Sequence, residues 1–361
     1  MPDPDPTVQM GGPAGLQAFV AAMPKVELHV HLEGSIRPAT LLALAERNGV
    51  PLPAADLGGL RDFYRFTDFD HFIRVYFTVS GCLKTVDDYA LIAYEFGADM
   101  ARQSVRYAEV TFTPKTNVDY TGLPFDAILE GLNDGRVRAR ADFGVEMAWV
   151  LDIVRDALES RHVVAYWAAG ALDRGVVGLG LGGPERGHPP EPFADAFAFA
   201  RAAGLHSVPH AGEVVGPESV WGALRSLHAE RLGHGVRSVE DPALVDYLRE
   251  HQVPLEICPT SNLRLGVYAS YAGHPIRRLW DEGLCVTVNS DDPPMFETDL
   301  VTEYGALAAH LGFSARELEQ LSLNALQASF LPADRKEEMK GSFVHEFRRL
   351  RARHLGDEEA D

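Results

Sequence analysis

Histidines and carboxylates stand at the ends of several apolar runs in this sequence. The first run, residues 26–31, ends in His-Val-His, so that His29 and His31 are two residues apart. Because side chains alternate between the two faces of a strand, both imidazoles would point to the same side. Two imidazoles that converge in this way can hold one metal ion. Alone, a His-x-His pattern is a weak signal, because many histidines are simply packed or exposed.

A second group of candidates follows the run at residues 206–210. This run ends in His210, and Glu213 lies three residues further on, after two small residues. That spacing brings Glu213 close enough to a metal to act on a bound substrate without being a ligand. The alternative is that Glu213 caps the following helix. His206 would share a face with His210, but it lies deeper in the run and we interpret it as structural.

Two further runs end in groups of the same kind. The run at residues 231–234 ends in His234 between two glycines, and the run at residues 285–289 is followed by Asp291 and Asp292. Neighbouring residues of an extended chain point in different directions, so one Asp can bind metal while the other reaches a substrate atom. An isolated Asp-Asp-Pro is most often a polar turn. Because four run ends each carry a ligand or a proton carrier, the sequence predicts a metal-dependent active site.

This set of side chains indicates hydrolytic chemistry. Three histidines and one carboxylate suit a divalent ion, and zinc accepts both kinds of ligand. Zinc lowers the pKa of a bound water to about 7. We expect His234 to orient or deprotonate that water, and Glu213, protonated in a dry pocket, to donate a proton to the substrate.

The runs that carry these residues belong to a repeating pattern of short β-branched segments and longer segments of helical period. This alternation is typical of βα units around a parallel sheet, and eight such units favour a closed (β/α)8 barrel. The eight predicted strands are residues 26–31, 105–113, 145–153, 176–181, 206–210, 231–234, 253–258 and 285–289.

A long helical insertion separates the first two predicted strands. Two helices are predicted there, one behind a possible cap at Thr67 and one behind Thr85, and they either cover one end of the barrel or belong to its core. The apolar positions of the helices are Phe69, Phe72, Ile73 and Tyr76 in the first and Tyr89, Ile92, Ala93, Phe96 and Met100 in the second. We predict one barrel domain at residues 23–354, after a tail and lead-in helix at residues 1–22 and before an acidic tail at residues 355–361.

Composition narrows the possible partners and the compartment. The chain has 361 residues with 33 Lys and Arg against 52 Asp and Glu, a formal charge of −19, and no basic groove is evident, which argues against nucleic acid. Neither a secretory signal pattern nor an apolar run of about 18 residues occurs, so we expect a cytoplasmic protein that does not enter membranes. The three cysteines are too few and too far apart for a disulfide framework, and we interpret Cys258 as a packed strand-end residue.

Five motifs occur in a fixed order along the sequence: H-V-H-L-E-G, H-A-G-E, L-G-H-G, C-P-T-S-N and N-S-D-D-P-P. Together they resemble the adenosine deaminase family of the amidohydrolase superfamily, and the resemblance extends from residue 24 to about residue 331. The resemblance implies a (β/α)8 barrel with one zinc ion per chain. The ligands it implies are His29, His31, His210 and Asp291.

The same resemblance implies roles around a purine. Glu213 would protonate the ring nitrogen beside the amino-bearing carbon, His234 would act on the zinc-bound water, and Asp292 would hydrogen-bond the five-membered ring. Gly183 would contact the purine through its backbone, although Gly-Gly-Pro-Glu stands here where the family commonly has Ala-Gly-Asp-Glu. Glu33 stands where vertebrate-like members have an Asp that contacts the sugar.

These roles imply hydrolytic deamination of a small 6-aminopurine nucleoside, either adenosine or the 6-amino-6-deoxyfutalosine of menaquinone biosynthesis. Adenine deamination, amide hydrolysis on a related zinc barrel and non-catalytic purine binding are the alternatives. The altered loop at Gly183 favours a nucleoside with a large substituent at its 5′ end.

Overall fold

A computed structural model describes residues 14–66 and 69–356. Most of the predicted N-terminal tail, the last five residues of the acidic tail and the predicted cap Thr67 lie outside these ranges, as does the side chain of Phe69.

Eight strands coincide with the eight predicted runs, and their ends differ from the prediction by at most two residues. Each strand is short and buried, as expected for parallel strands covered on both faces. The strands are β1 Lys25–His31, β2 Val105–Phe112, β3 Glu146–Val154, β4 Val176–Gly182, β5 His206–Ala211, β6 Leu232–His234, β7 Leu255–Ile257 and β8 Val286–Val288.

All neighbouring strands pair in parallel, and their order around the sheet is the order of the chain from β1 to β8. A backbone bridge after β8 brings the two edges of the sheet together. The N–H of Asp291 donates to the carbonyl of His29 at 3.0 Å, and the N–H of His31 donates to the carbonyl of Asp291 at 2.9 Å. The predicted (β/α)8 barrel is confirmed, and its closure places the ends of β1 and β8 side by side.

Helices surround the barrel and fill the connection between β1 and β2. Short 3₁₀ segments complete the loops. The helices are α1 Ala14–Ala22, α2 Pro38–Asn48, α3 Leu57–Tyr64, α4 Phe69–Gly81, α5 Val86–Arg102, α6 Pro114–Thr121, α7 Phe125–Phe143, α8 Arg161–Ala169, α9 Ala194–Ala202, α10 Pro217–Gly222, α11 Pro242–His251, α12 Pro259–Arg264, α13 Ile276–Asp281, α14 Pro293–Phe296, α15 Leu300–Leu311, α16 Ala315–Ala328 and α17 Ala333–Leu355.

The two helices predicted in the insertion have different roles. Helix α5 begins behind Thr85 with a capping box, in which Thr85 and Asp88 exchange side-chain and backbone hydrogen bonds. The five apolar residues predicted for α5 are all buried in the core. In α4, by contrast, Phe72, Ile73 and Tyr76 line a cavity at the carboxyl ends of the strands. The insertion therefore covers one end of the barrel with α4 and extends the core with α5.

Across residues 14–66 and 69–356, no helix is both long enough and apolar enough to span a bilayer.

Candidate active site

A cavity of about 560 Å³ opens at the carboxyl ends of the barrel strands. Parallel strands all end at this rim, so side chains from distant parts of the sequence meet there. Two predicted site residues, His29 and Glu33, lie buried just behind the lining. The predicted residues that line the cavity are His31, Gly183, His210, Glu213, His234, Asp291 and Asp292.

Four side chains converge on one point at the floor of this cavity. The Nε2 atoms of His31 and His210 are 3.2 Å apart. Asp291 Oδ1 lies 3.4 Å from His31 Nε2 and 3.6 Å from His29 Nε2. His29 Nε2 is buried and has no hydrogen-bond partner among the described residues. Three imidazole nitrogens and one carboxylate oxygen thus face a common centre, and this set of donors fits a divalent cation.

The second nitrogen of two of these imidazoles shows which atoms are free to bind metal. His29 Nδ1 is 3.0 Å from Glu256 Oε2, and His210 Nδ1 is 3.1 Å from the carbonyl of Leu181. Carboxylate and carbonyl oxygens only accept, so both Nδ1 atoms carry a proton. In the neutral rings the lone pairs of His29 and His210 are therefore on Nε2 and point at the shared centre, as metal-binding histidines require.

The electrostatics of the cluster also favour a cation. Burial lowers the pKa of His31 to about 4 and that of His210 well below its ordinary value, so both rings are neutral at pH 7. At His29 burial also disfavours the charged ring, but the neighbouring carboxylates of Asp291 and Glu256 outweigh burial and raise the pKa. The carboxylates thus favour positive charge at this centre, and His31 and His210 are neutral imidazoles available as ligands.

Asp291 is held in place by backbone and side chain together. Its φ of 66° lies in the left-handed region, which is uncommon for a residue other than glycine. Ser261 Oγ donates to its Oδ2 at 2.6 Å, and the bridge to β1 fixes its backbone. Strain of this kind is found where the surrounding structure fixes a functional side chain.

Glu213 projects into the cavity beside His234. Its Oε1 is 3.8 Å from His234 Nε2, and that oxygen is buried without a hydrogen-bond partner in the described part of the chain. Burial raises the pKa of Glu213 to about 8, so it is a protonated acid at pH 7. Gly216 is the N-cap of α10, and Glu213 lies three residues before it. Glu213 therefore does not cap that helix.

The loop that carries Glu213 is held by Glu185, which sequence reasoning did not identify. Glu185 Oε1 accepts from the N–H of Gly212 at 2.6 Å. Its Oε2 accepts from the next three N–H groups, those of Glu213, Val214 and Val215, at 3.2, 2.8 and 2.8 Å. In the sequence, the position of Glu185 directly after Gly-Gly-Pro was the one sign of a special role. Its partners could not be predicted, because they lie about 28 residues further along the sequence.

The predicted substrate-side residues lie in three different settings. Asp292 is buried at the cavity wall, packed so closely on Gly34 that a Cβ there would lie 1.6 Å from Asp292 Oδ1. Gly183 lines the wall with a φ of 86°. Glu33 is fully buried and accepts from the N–H of Thr113 at 3.0 Å.

A buried ion network beneath the site was also missed. Arg231 Nε donates to Glu256 Oε1 at 2.6 Å, and Arg231 Nη2 lies 2.6 Å from Glu109 Oε2. Glu256 in turn holds His29, so the network links the interior of the barrel to the convergent cluster. A charged residue inside an apolar run, as at Glu109 and Glu256, was the signal that marks these positions.

The two residues interpreted as structural, His206 and Cys258, differ in their distance from the cluster. His206 pairs with Glu230 at 2.9 Å and stacks on Phe330 with a ring separation of 3.7 Å. Cys258 is buried within 4.8 Å of ligand atoms of the cluster, and burial raises the pKa of its thiol.

A family model for adenosine deaminase matches residues 24–345. The chain belongs to the adenosine deaminase family. It is therefore an enzyme, a deaminase of the amidohydrolase superfamily, and the resemblance of its motifs is confirmed.

Individual relatives agree with this assignment. The aminodeoxyfutalosine deaminase of Streptomyces coelicolor is 46% identical over 327 residues, which cover 90% of this chain and 84% of the relative. The adenine deaminase of the same organism is 40% identical over 339 residues, or 94% and 95% of the two chains. An amidohydrolase from Burkholderia ambifaria, solved with bound Zn, superimposes with a TM-score of 0.90 at 29% identity, covering 98% of both chains.

Proposed function

We propose that this protein is a zinc-dependent deaminase of 6-amino-6-deoxyfutalosine. Water replaces the amino group of the purine, which leaves as ammonia, and the product is the 6-oxo compound. The observation that carries the chemistry is the convergence of three imidazoles and one carboxylate beside a protonated Glu213. The 46% identity to a relative named for this substrate supports the choice of nucleoside.

One zinc ion per chain would be held by His29, His31, His210 and Asp291. The free Nε2 lone pairs of His29 and His210 and the proximity of the Asp291 carboxylate fit zinc, which binds nitrogen and oxygen donors. When bound, zinc supplies a Lewis acid and makes water acidic near neutral pH.

The protein's own groups would act on the purine. Glu213 would donate its proton to the ring nitrogen next to the amino-bearing carbon, which makes that carbon more electrophilic. His234 lies on the same side of the cavity, where it would contact the attacking oxygen. Asp292, Gly183 and Glu33 would position the purine and its sugar, with Glu33 acting from behind the cavity wall.

The shape and charge of the cavity support an extended nucleoside. Its volume of about 560 Å³ lies within the range of sites for drug-sized ligands, and Phe72 and Tyr76 of α4 extend its apolar wall away from the floor. Asp119, Asp156 and Glu159 also line it, whereas Lys115 is the one Lys or Arg among the described lining residues. This negative charge disfavours the phosphate of a nucleotide.

Free adenine is the second candidate substrate. The specific observation in its favour is the adenine deaminase of Streptomyces coelicolor, which covers slightly more of this chain than the aminodeoxyfutalosine deaminase does. Free adenine would forgo the sugar contacts that help to position the ring.

The test is a side-by-side comparison of kcat/KM for 6-amino-6-deoxyfutalosine, adenosine, adenine and AMP, followed by absorbance and by ammonia release. We expect 6-amino-6-deoxyfutalosine to be turned over at least as efficiently as adenosine, with adenine and AMP poor. A strong preference for adenine would overturn the nucleoside assignment, and a strong preference for adenosine would overturn the assignment of the extended nucleoside. The Glu213→Gln variant shows whether the measured activity comes from this site.

A further inference from the structure

A chain of buried hydrogen bonds extends from the active site into the wall of the barrel behind His234. Asn262 Nδ2 lies 3.4 Å from His234 Nδ1, and Asn262 Oδ1 lies 3.1 Å from His274 Nε2. The backbone N–H of Ile276 lies 3.3 Å from His274 Nδ1 and ends the chain. The three side chains are almost wholly buried, with exposed fractions of 1%, 0% and 4% for His234, Asn262 and His274.

The last link fixes the direction of every bond. A backbone N–H can only donate, so His274 Nδ1 must accept from Ile276. Burial lowers the pKa of His274 to about 3, so the ring is neutral and its single proton is on Nε2. That N–H needs an acceptor, and Asn262 must present its carbonyl oxygen to it. The amide nitrogen of Asn262 is then left to donate to His234 Nδ1.

We propose that Asn262 and His274 are positioning residues that fix His234 as the tautomer with its proton on Nε2. Because Nδ1 accepts from Asn262, the neutral ring carries its proton on the nitrogen that faces Glu213, 3.8 Å away. The tautomer follows from the hydrogen bonds alone, and only its effect on catalysis rests on the proposed function. His234 then donates a hydrogen bond to the reacting oxygen, and it does not take a proton from water through Nε2.

The residues of this hydrogen-bonded series lie on elements that carry none of the four proposed ligands, although Ser261 of the same helix as Asn262 donates to Asp291. Asn262 lies in α12, which directly follows β7, and His274 lies two residues before α13. Tyr268 packs edge-on against His274 with ring centroids 5.1 Å apart. Neither Asn262 nor His274 lines the cavity, so each acts through His234.

The direct test is nitrogen NMR of the zinc-loaded enzyme labelled at histidine, with His234 assigned from the His234→Gln variant. A protonated and an unprotonated ring nitrogen differ widely in chemical shift. We expect an unprotonated Nδ1 in the wild type and a protonated Nδ1 in Asn262→Asp, whose carboxylate can only accept. A protonated Nδ1 in the wild-type protein overturns the proposal, whatever the substrate of the enzyme is.

Steady-state kinetics test the role of His274 independently of the NMR measurement. His274→Leu removes the donor that orients Asn262, and we expect kcat to fall about 10- to 100-fold at similar KM. His274→Gln can donate to the same oxygen and should recover most of kcat. The matched control is His206→Leu, which removes a hydrogen-bonded histidine far from the site and should leave kcat unchanged. Wild-type kcat in His274→Leu would overturn the proposal.

Discussion

A single buried carboxyl group explains how one acid can work at neutral pH in this cavity. Glu213 is shielded from water and has negative neighbours, Asp291 and Glu185, so its neutral form is favoured. Replacing Glu213 by Gln keeps the size of the side chain but removes the proton that it would donate in the proposed reaction. We expect Glu213→Gln to retain zinc and substrate affinity and to lose about 10²- to 10⁴-fold in kcat. Steady-state kinetics with metal analysis measure both effects.

Glu230→Gln is a matched control for Glu213→Gln. Glu230 also lies beside a histidine, His206, but outside the cavity. Glu230→Gln should turn over substrate like the wild type. Near wild-type turnover by Glu213→Gln would show that the acid lies elsewhere.

The raised pKa of Glu213 also sets the pH dependence of the reaction. In the proposed reaction the active form is the protonated acid, and burial raises the pKa of Glu213 from 4.5 to about 8. The acid therefore remains available at neutral pH, and kcat/KM should decline as the pH rises through about 8. The measurement is a pH–rate profile with metal content checked at each pH. A decline centred near the ordinary Glu value would contradict the assignment.

Residue types and spacing were enough to predict the groups that face the cavity, but not their partners. His29, His31 and His210 stand at or near strand ends, where the two-residue period decides which way a side chain points. Glu185 and Glu256 escaped prediction because they bond to groups distant in sequence, and no local pattern encodes that pairing.

The loop after β5 shows how the fold positions Glu213, the proposed acid. Glu185 accepts from four successive backbone N–H groups, from Gly212 to Val215. Glu185→Gln replaces one acceptor oxygen by a donor, which leaves buried N–H groups without partners at about 1–3 kcal/mol each. We expect a lower free energy of unfolding and a lower kcat, because the loop no longer holds Glu213. Denaturant unfolding and kinetics measure these, and the exposed Glu191→Gln is the control.

The insertion between β1 and β2 shows what periodicity alone cannot decide. Both α4 and α5 have apolar residues at helical spacing, and the sequence predicted both helices. Only three-dimensional packing distinguishes them: α5 lies against α7 in the core, whereas α4 faces the cavity with Phe72 and Tyr76. An apolar stripe predicts that a helix face is covered, but not whether protein or ligand covers it.

At the scale of the whole barrel, strands from opposite parts of the chain are tied together by Arg231. It is buried between Glu109 of β2 and Glu256 of β7. Arg231→Met would leave two buried carboxylates unpaired, and we expect the free energy of unfolding to fall by about 3–5 kcal/mol. Because Glu256 also orients His29, zinc affinity should fall as well.

Denaturant unfolding of the zinc-free and zinc-loaded protein measures both consequences of Arg231→Met. The control is Arg249→Met, which breaks an exposed ion pair with Asp246 and should cost less than about 1 kcal/mol. Equal losses of unfolding free energy in Arg231→Met and Arg249→Met would show that the buried ion network contributes no more to stability than an exposed ion pair does.

The barrel itself was predictable because its eight strands are buried on both faces and appear as continuous apolar runs between helices. Its closure was not visible in the sequence, since the bridge from Asp291 to β1 joins residues more than 250 positions apart. That closure brings one carboxylate to three histidines, and so it completes the site.

Metal analysis of protein purified without chelator is the most direct test of the proposed zinc site. We expect close to one zinc per chain in the wild type. We also expect loss of zinc in His210→Ala and wild-type zinc content in His206→Ala, whose imidazole lies outside the cavity. A folded wild-type protein that deaminates its substrate while it contains no stoichiometric transition metal would contradict the proposed zinc site.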